Sequence, residues 1–401
     1  MPNGVMTGNG SRDNPWIVED AWDFNALRDI PATDASSVAF VELGADISLA
    51  VYPTFTPIPS RFFNIDGKGH IISDISVENF GLFEEVRFTE YLRNIVVEGE
   101  VTVGTSAQVG LLAARAVATV TGAIIENIKG FGSVTSVLSA NSARHAGIFG
   151  FVQMHSPGQT MLRVRDCSFK GTFMASFTNS TTSGAGGIVA LGGVLNVNLS
   201  AGGFGGANAT VQVSRCFSDI SVVVIGSQWT GINSSIGGVV GGTVSTSGTN
   251  EMISCVGRVQ IHFTGGTNTR VWRLSGCFGV HEGIGATRLI RCVGFIKLIY
   301  NPLAAFTGQI HINGLVGQVG NSGISVSQSY GVIEYENPNS IELPPTFTIN
   351  GLGPSTTAVG SFFDISALRA TWGGDINQEA LGRTTQQLQD RGFLESQGWV
   401  F

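Results

Sequence analysis

Five cysteines, six histidines and 29 carboxylates are the residues of this 401-residue chain that could do chemistry. Four of the cysteines, Cys167, Cys216, Cys255 and Cys292, fall at one position of a recurring short strand. Tetrahedral zinc needs ligands that converge on a point, usually from closely paired cysteines. The chain has no CxxC, and residues one repeat apart stack in a line. The spacing therefore predicts an inward ladder of small, reduced thiols, a common setting for free cysteine, with no metal and no cofactor. The histidines (His70, His145, His155, His262, His281 and His311) share no register and form no HExxH. His281-Glu282 follows the Cys277-Phe-Gly corner and reads as a solvent-exposed loop pair. Asp66-Gly-Lys-Gly-His70 lacks the spacing of a phosphate loop and the Ser/Thr after its lysine, and reads as a tight hairpin turn. Cleaving a glycan takes two carboxylates converging on one groove. Asp166, Asp219 and Glu251 flank strands without a common register, so no catalytic residue is assigned and no enzyme is expected. Trp229 and Trp272 lie in loop-like or edge segments and are the two candidate binding residues. An exposed indole there would stack on a sugar or a partner protein, although burial is the commoner fate of tryptophan.

The elements that must position these residues repeat. A glycine followed by apolar residues recurs at Gly81-Leu-Phe, Gly110-Leu-Leu, Gly147-Ile-Phe-Gly, Gly187-Ile-Val, Gly238-Val-Val-Gly, Gly276-Cys-Phe-Gly and Gly314-Leu-Val-Gly. Between these lie alternating strands such as Val164-Arg-Asp-Cys, Val213-Ser-Arg-Cys, Ile253-Ser-Cys-Val and Ile290-Arg-Cys-Val. Units drift between roughly 29 and 51 residues, the range of solenoid arrays. Parallel coils stacked in register would turn the inward positions into apolar ladders, and their corners need Gly, Asn or Ser. The expected fold is all-β: a right-handed parallel β-solenoid (β-helix) of imperfect repeats, with non-repeating caps that contain short helices. The expected divisions are an N-terminal cap with its leading strands over 1–80, solenoid repeats over 81–362 and a C-terminal cap over 363–401. In the first cap, Asp20 should N-cap a short helix with Trp22, Leu27 and Ile30 turned inward; a strand should follow over Val38 to Leu43. Charged residues make up 13%, well below the average for soluble domains, and glycines number 55. Such a surface suits a stable solenoid or a protein that lives within an assembly.

Asn14-Pro-Trp-Ile, Asp66-Gly-Lys-Gly-His-Ile-Ile, Gly81-Leu-Phe, Thr384-Thr-Gln-Gln-Leu, Phe393 and Gly398-Trp-Val-Phe401 together resemble GLUG-motif repeat proteins. The likeness spans nearly the whole chain, with Val400 where an acidic residue is common. That family includes bacterial surface proteins, non-catalytic parts of immunoglobulin-cleaving peptidases and phage virion proteins. The resemblance implies a β-solenoid with an adhesive or structural role, and it implies no catalytic residues.

Net charge is −7 with no basic patch, so nucleic acid is not an expected partner. No apolar run reaches the length of a membrane span, and Met1 to Ser11 lack a secretory leader pattern, so membrane insertion is not expected and assembly in a host cytoplasm is. The leading expectation is a structural component of a phage virion: a tail fibre, tail tip or head fibre presenting a face to a host surface. Its partners would be other virion proteins, further copies in a homo-oligomer, and a host surface glycan or protein. A bacterial cell-surface adhesin is the first alternative and a polysaccharide-degrading tailspike the second.

Overall fold

The computed structural model describes residues 6–104, 108–138, 143–154, 161–177, 189–198, 209–226, 234–245, 248–264, 271–283, 286–301, 309–319, 323–338, 346–353, 356–359, 361–364 and 382–390. One coil illustrates the rest. Its first strand, Met161–Arg165, turns at Asp166-Cys167 into a long second strand, Ser168–Phe177. The third, Val189–Gly192, turns at Gly193-Val194 into the fourth, Leu195–Asn198. Each of the four pairs in parallel with its equivalent in the next coil. The first, second and fourth strands join one 27-stranded sheet, and the third strands form a separate 7-stranded sheet. This is a parallel β-solenoid, as the repeat pattern predicts.

The sequence forms coils because its strands alternate. Met161–Arg165, Thr210–Ser214 and Thr249–Ile253 all bury every second residue, the period of a half-buried strand. Since equivalent residues of these first strands pair without slippage, alternation in one coil becomes a column through all of them. Ile125, Val164, Val213, Met252, Leu289 and Val326 form such a column, each at most 2% exposed. A one-residue slip would turn the whole column outward, so burial fixes the register.

Two corners set the shape of the coil. At the first, Asn94, Asn127, Asp166, Arg215, Ser254, Arg291 and Gln328 all adopt left-handed backbone, with φ between 48° and 57°. At the second, glycines stack. A Cβ on Gly81 would lie 2.0 Å from the Gly110 carbonyl oxygen, one on Gly238 1.9 Å from that of Gly276, and one on Gly314 2.0 Å from that of Gly351. Only glycine lets the coils close to that distance. Gly187, expected at this corner, lies outside the described residues; between Gly147 and Gly238 the described residue of the glycine stack is Gly193. The Gly147 amide donates to the Gly192 and Gly193 carbonyls, and a Cβ on Gly193 would lie 1.8 Å from the Gly238 carbonyl. The pattern also extends one coil beyond Gly314, to Gly351-Leu352.

Parallel pairing is continuous from Trp16–Val18 through Ala39–Leu43 to Arg61–Asp66 and on to Tyr91–Val103. A helix over Ala21–Ala26 follows the N-cap Asp20, whose carboxylate accepts from the amides of Trp22 and Asp23 at 2.8 and 2.9 Å. Leu27 and Ile30 are buried as expected, but Trp22 is 46% exposed and Phe24 takes the inward position. The Asp66-to-His70 turn is not a hairpin: the strands on either side, Arg61–Asp66 and Ile71–Glu78, both pair in parallel with Tyr91–Val103, so it is a coil corner. Near the C-terminus a helix over Thr385–Gln389 begins with a capping box between Thr384 and Gln387. Phe393 and Gly398 to Phe401 lie outside the described residues.

Candidate functional site

The cysteine ladder forms as its spacing requires. Cys167, Cys216, Cys255 and Cys292 are at most 1% exposed, and Ser329 and Ser361 extend the column. Several thiols reach the carbonyl two residues back, among them Cys255 Sγ to Ile253 at 3.5 Å and Cys292 Sγ to Ile290 at 3.5 Å. The neighbouring Cys167 thiol, together with burial, pushes Cys216 well above the usual thiol range. Burial does the same, first among causes, for Cys255, Cys277 and Cys292. Thiols held protonated are neither nucleophiles nor metal ligands. All five cysteines are free, and among the described residues no group of three or more His, Cys, Asp or Glu is placed to hold a metal. Cys277 belongs to the other corner, in line with Val239 and Leu315.

The remaining chemical candidates scatter. Asp166 is bound by both ends of the Arg215 guanidinium at 2.7 and 2.6 Å, which holds its carboxyl below the usual range. Glu251 lies on the first-strand face, 3.3 Å from Arg288 and from Gln212. Burial pushes the Asp66 carboxyl up, but the Asn94 side chain, the Lys68 amide and Arg93 outweigh it and hold it low. Asp66 is thus a buried brace, tied to Arg93 at 2.9 Å. His281 and Glu282 are not in a loop; their backbone is part of the fourth strand Phe278–Gly283. His70 Nδ1 lies 2.9 Å from Asp46, and His145 is fully buried. His155 lies outside the described residues. Trp272 is 1% exposed against Phe263, so it cannot stack on a ligand. Trp229 lies outside the described residues.

One surface does gather unlike side chains: the outward face of the second strands. These strands run side by side as Ser168–Phe177, Phe217–Gly226, Val256–Phe263, Val293–Tyr300 and Tyr330–Glu336. Their register lines up Lys170, Asp219, Arg258, Phe295 and Val332 in one outward column, and Thr172, Ser221, Gln260, Lys297 and Glu334 in the next. A shallow groove of about 260 Å³ lies over Asp219, Arg258, Gln260, Phe295, Lys297, Val332 and Glu334. The Arg258 guanidinium stacks over the rings of Phe217 and Phe295, 6.0 and 5.2 Å from their centroids. Tyr330 meets Phe295 edge-on at 6.2 Å. Lys297 is taken by Glu336 at 2.7 Å and Glu334 at 4.0 Å.

The two carboxylates that line this groove are three coils apart, about 14 Å along the stack at the usual strand spacing. Acid and nucleophile or base of a glycosidase stand about 5 to 9.5 Å apart. Glu334 and Glu336 sit on one strand and share Lys297 instead of facing each other across the groove. The groove can recognise; its carboxylate spacing does not fit hydrolysis. Sequence reasoning missed it, because each coil contributes only one to three members and only the register brings them together.

No protein-family model and no curated protein matches the chain. Among solved structures it is similar to "a putative immunoglobulin A1 protease from Bacteroides ovatus", at 17% identity and a TM-score of 0.42, over 88% of this chain and 86% of that one. A likeness of that depth carries neither activity nor site to this chain.

Proposed function

We propose that the chain is a structural component of a phage virion, in a tail fibre, tail tip or head fibre, that presents its second-strand face to a host surface. The observation that carries the reading is that face: long strands in unbroken register, with aromatic, cationic, amide and acidic side chains turned outward. The resemblance to GLUG-motif proteins supports it, since virion proteins are among that family. Five buried thiols, none in a disulfide, suit folding in a reducing cytoplasm, where such particles assemble. In this reading its partners are other virion proteins, further copies of the chain and a surface glycan or protein, with no nucleic acid; among the described residues no helix is long and apolar enough to cross a membrane. The carboxylate spacing in the groove favours recognition over cleavage of a polysaccharide.

Immunogold electron microscopy with antibodies to the purified chain tests the assignment. Gold on a fibre or tail tip of the source particle is the expected result. Gold on a bacterial envelope, with bare particles, would replace the virion role by that of a surface adhesin.

A further inference from the structure

We propose that the groove over Arg258 and Phe295 binds a neutral sugar ring of a surface glycan. This rests on the recognition role given above to the second-strand face and narrows it to one chemistry. Two ionised groups in the groove are uncommitted: among the described residues, neither Arg258 nor Asp219 has a salt-bridge partner within 4 Å, although the two pair directly in register. A guanidinium only donates and a carboxylate only accepts, whereas a hydroxyl does both. Side by side they match two neighbouring hydroxyls, one accepting from Arg258 and the other donating to Asp219. The rings of Phe217 and Phe295 hold the guanidinium, so little side-chain freedom is lost when a ligand arrives.

The rest of the groove complements a pyranose. Phe295 and Val332 supply an apolar floor for its C–H face, and Gln260, whose amide nitrogen lies 2.6 Å from the His262 ring, adds a polar wall. A volume of about 260 Å³ lies just below the roughly 300 Å³ at which drug-sized sites begin, which suits a single ring or chain end. Charge decides between neutral and acidic sugars. Lys297 is neutralised by Glu334 and Glu336, and Asp219 sits beside Arg258. An anionic sugar would gain one guanidinium and meet carboxylates on both sides.

Saturation-transfer NMR on the full chain, with the methyl glycosides of glucose, galactose, mannose, N-acetylglucosamine and glucuronic acid as probes, tests the site. Saturation of at least one neutral glycoside is expected, with the glucuronide weaker. Arg258→Gln and Phe295→Val should each weaken binding at least about tenfold, at an unchanged melting temperature. Valine already occupies the next rung of that column, so Phe295→Val respects the strand. Lys170→Ala, in the same column but outside the groove, should bind as the unaltered chain does. Silence from all four neutral probes, equal saturation in both variants, or strongest binding of the glucuronide would each overturn the proposal. Sugar binding without gold on any particle would leave the site standing and remove the virion role; gold without sugar binding would do the reverse.

Discussion

A serine hydroxyl in place of the Cys255 thiol would find the acceptor the thiol already uses. Ser329 and Ser361 show this in the same column, donating to the carbonyls of Ser327 and Val359 at 2.9 and 3.2 Å. Cys255→Ser should therefore cost no more than about 1 kcal/mol, the scale of one satisfied hydrogen bond. Cys255→Asp buries an unpaired carboxylate between two thiols and should cost several times as much. Urea denaturation of both variants measures the difference, and equal losses would mean that the column is not closed to water. Cys216, Cys255, Cys277 and Cys292 also predict a pH dependence. Their folded pKa values lie above the unfolded value of about 8.5, so their contribution is complete below that pH. Above it the unfolded chain loses protons that the folded chain keeps, and stability falls as pH rises, by at most about 1.4 kcal/mol per pH unit for each thiol. Tyr300, pushed up to about 12 by burial, extends the decline beyond pH 10. Melting curves between pH 7 and pH 10 should show the loss setting in near pH 8.5, and a flat profile would contradict burial of the ladder.

At the scale of the element, the glycine corner and the left-handed corner differ in how they are specified. Gly193→Ala places a Cβ 1.8 Å from a backbone oxygen that cannot move without displacing the next coil, and about 3 kcal/mol or more should be lost. Gly69→Ala meets nothing within 4 Å and is opposed only by its φ of +87°, at about 1 to 2 kcal/mol. Chemical denaturation of the two variants separates crowding from backbone strain; equal shifts would mean that the corner glycines do not hold the coils together. The same comparison explains what was legible in the sequence. Gly-aliphatic pairs and inward cysteines have a residue type in common, so both ladders can be read from spacing. Gly186-Gly187-Ile and Gly192-Gly193-Val are equally good matches to the pattern, and only the hydrogen bond from Gly147 chooses between them. The left-handed corner had no readable signal, because Asn94, Asp166, Arg215 and Gln328 share a backbone conformation and not a side chain. Trp22 followed a helical pattern, but with the helix ending at Ala26 the inward stripe falls on Ala21, Phe24 and Leu27. The groove was hidden for the same reason as the corner: the adjacency of Asp219, Arg258 and Phe295 exists only once the register is known.

At the scale of the whole molecule, each coil contacts chiefly its neighbours, so stability is close to a sum of coil and interface terms and the surface lengthens with each coil added. That design suits a protein whose work is to display a face. Inward columns tolerate little change, while outward positions of the second strands already vary from lysine to phenylalanine within one column. Competition for host cells tests the display role most directly. The purified chain is added before the source particle, and particle adsorption is counted. The chain should block adsorption, Thr172→Arg with Ser221→Arg on the second-strand face should weaken blocking at least about tenfold, and Ser325→Arg on the first-strand face should leave it unchanged. Blocking that survives the second-strand changes, or is lost with Ser325→Arg instead, would contradict the assignment of this face as the working surface.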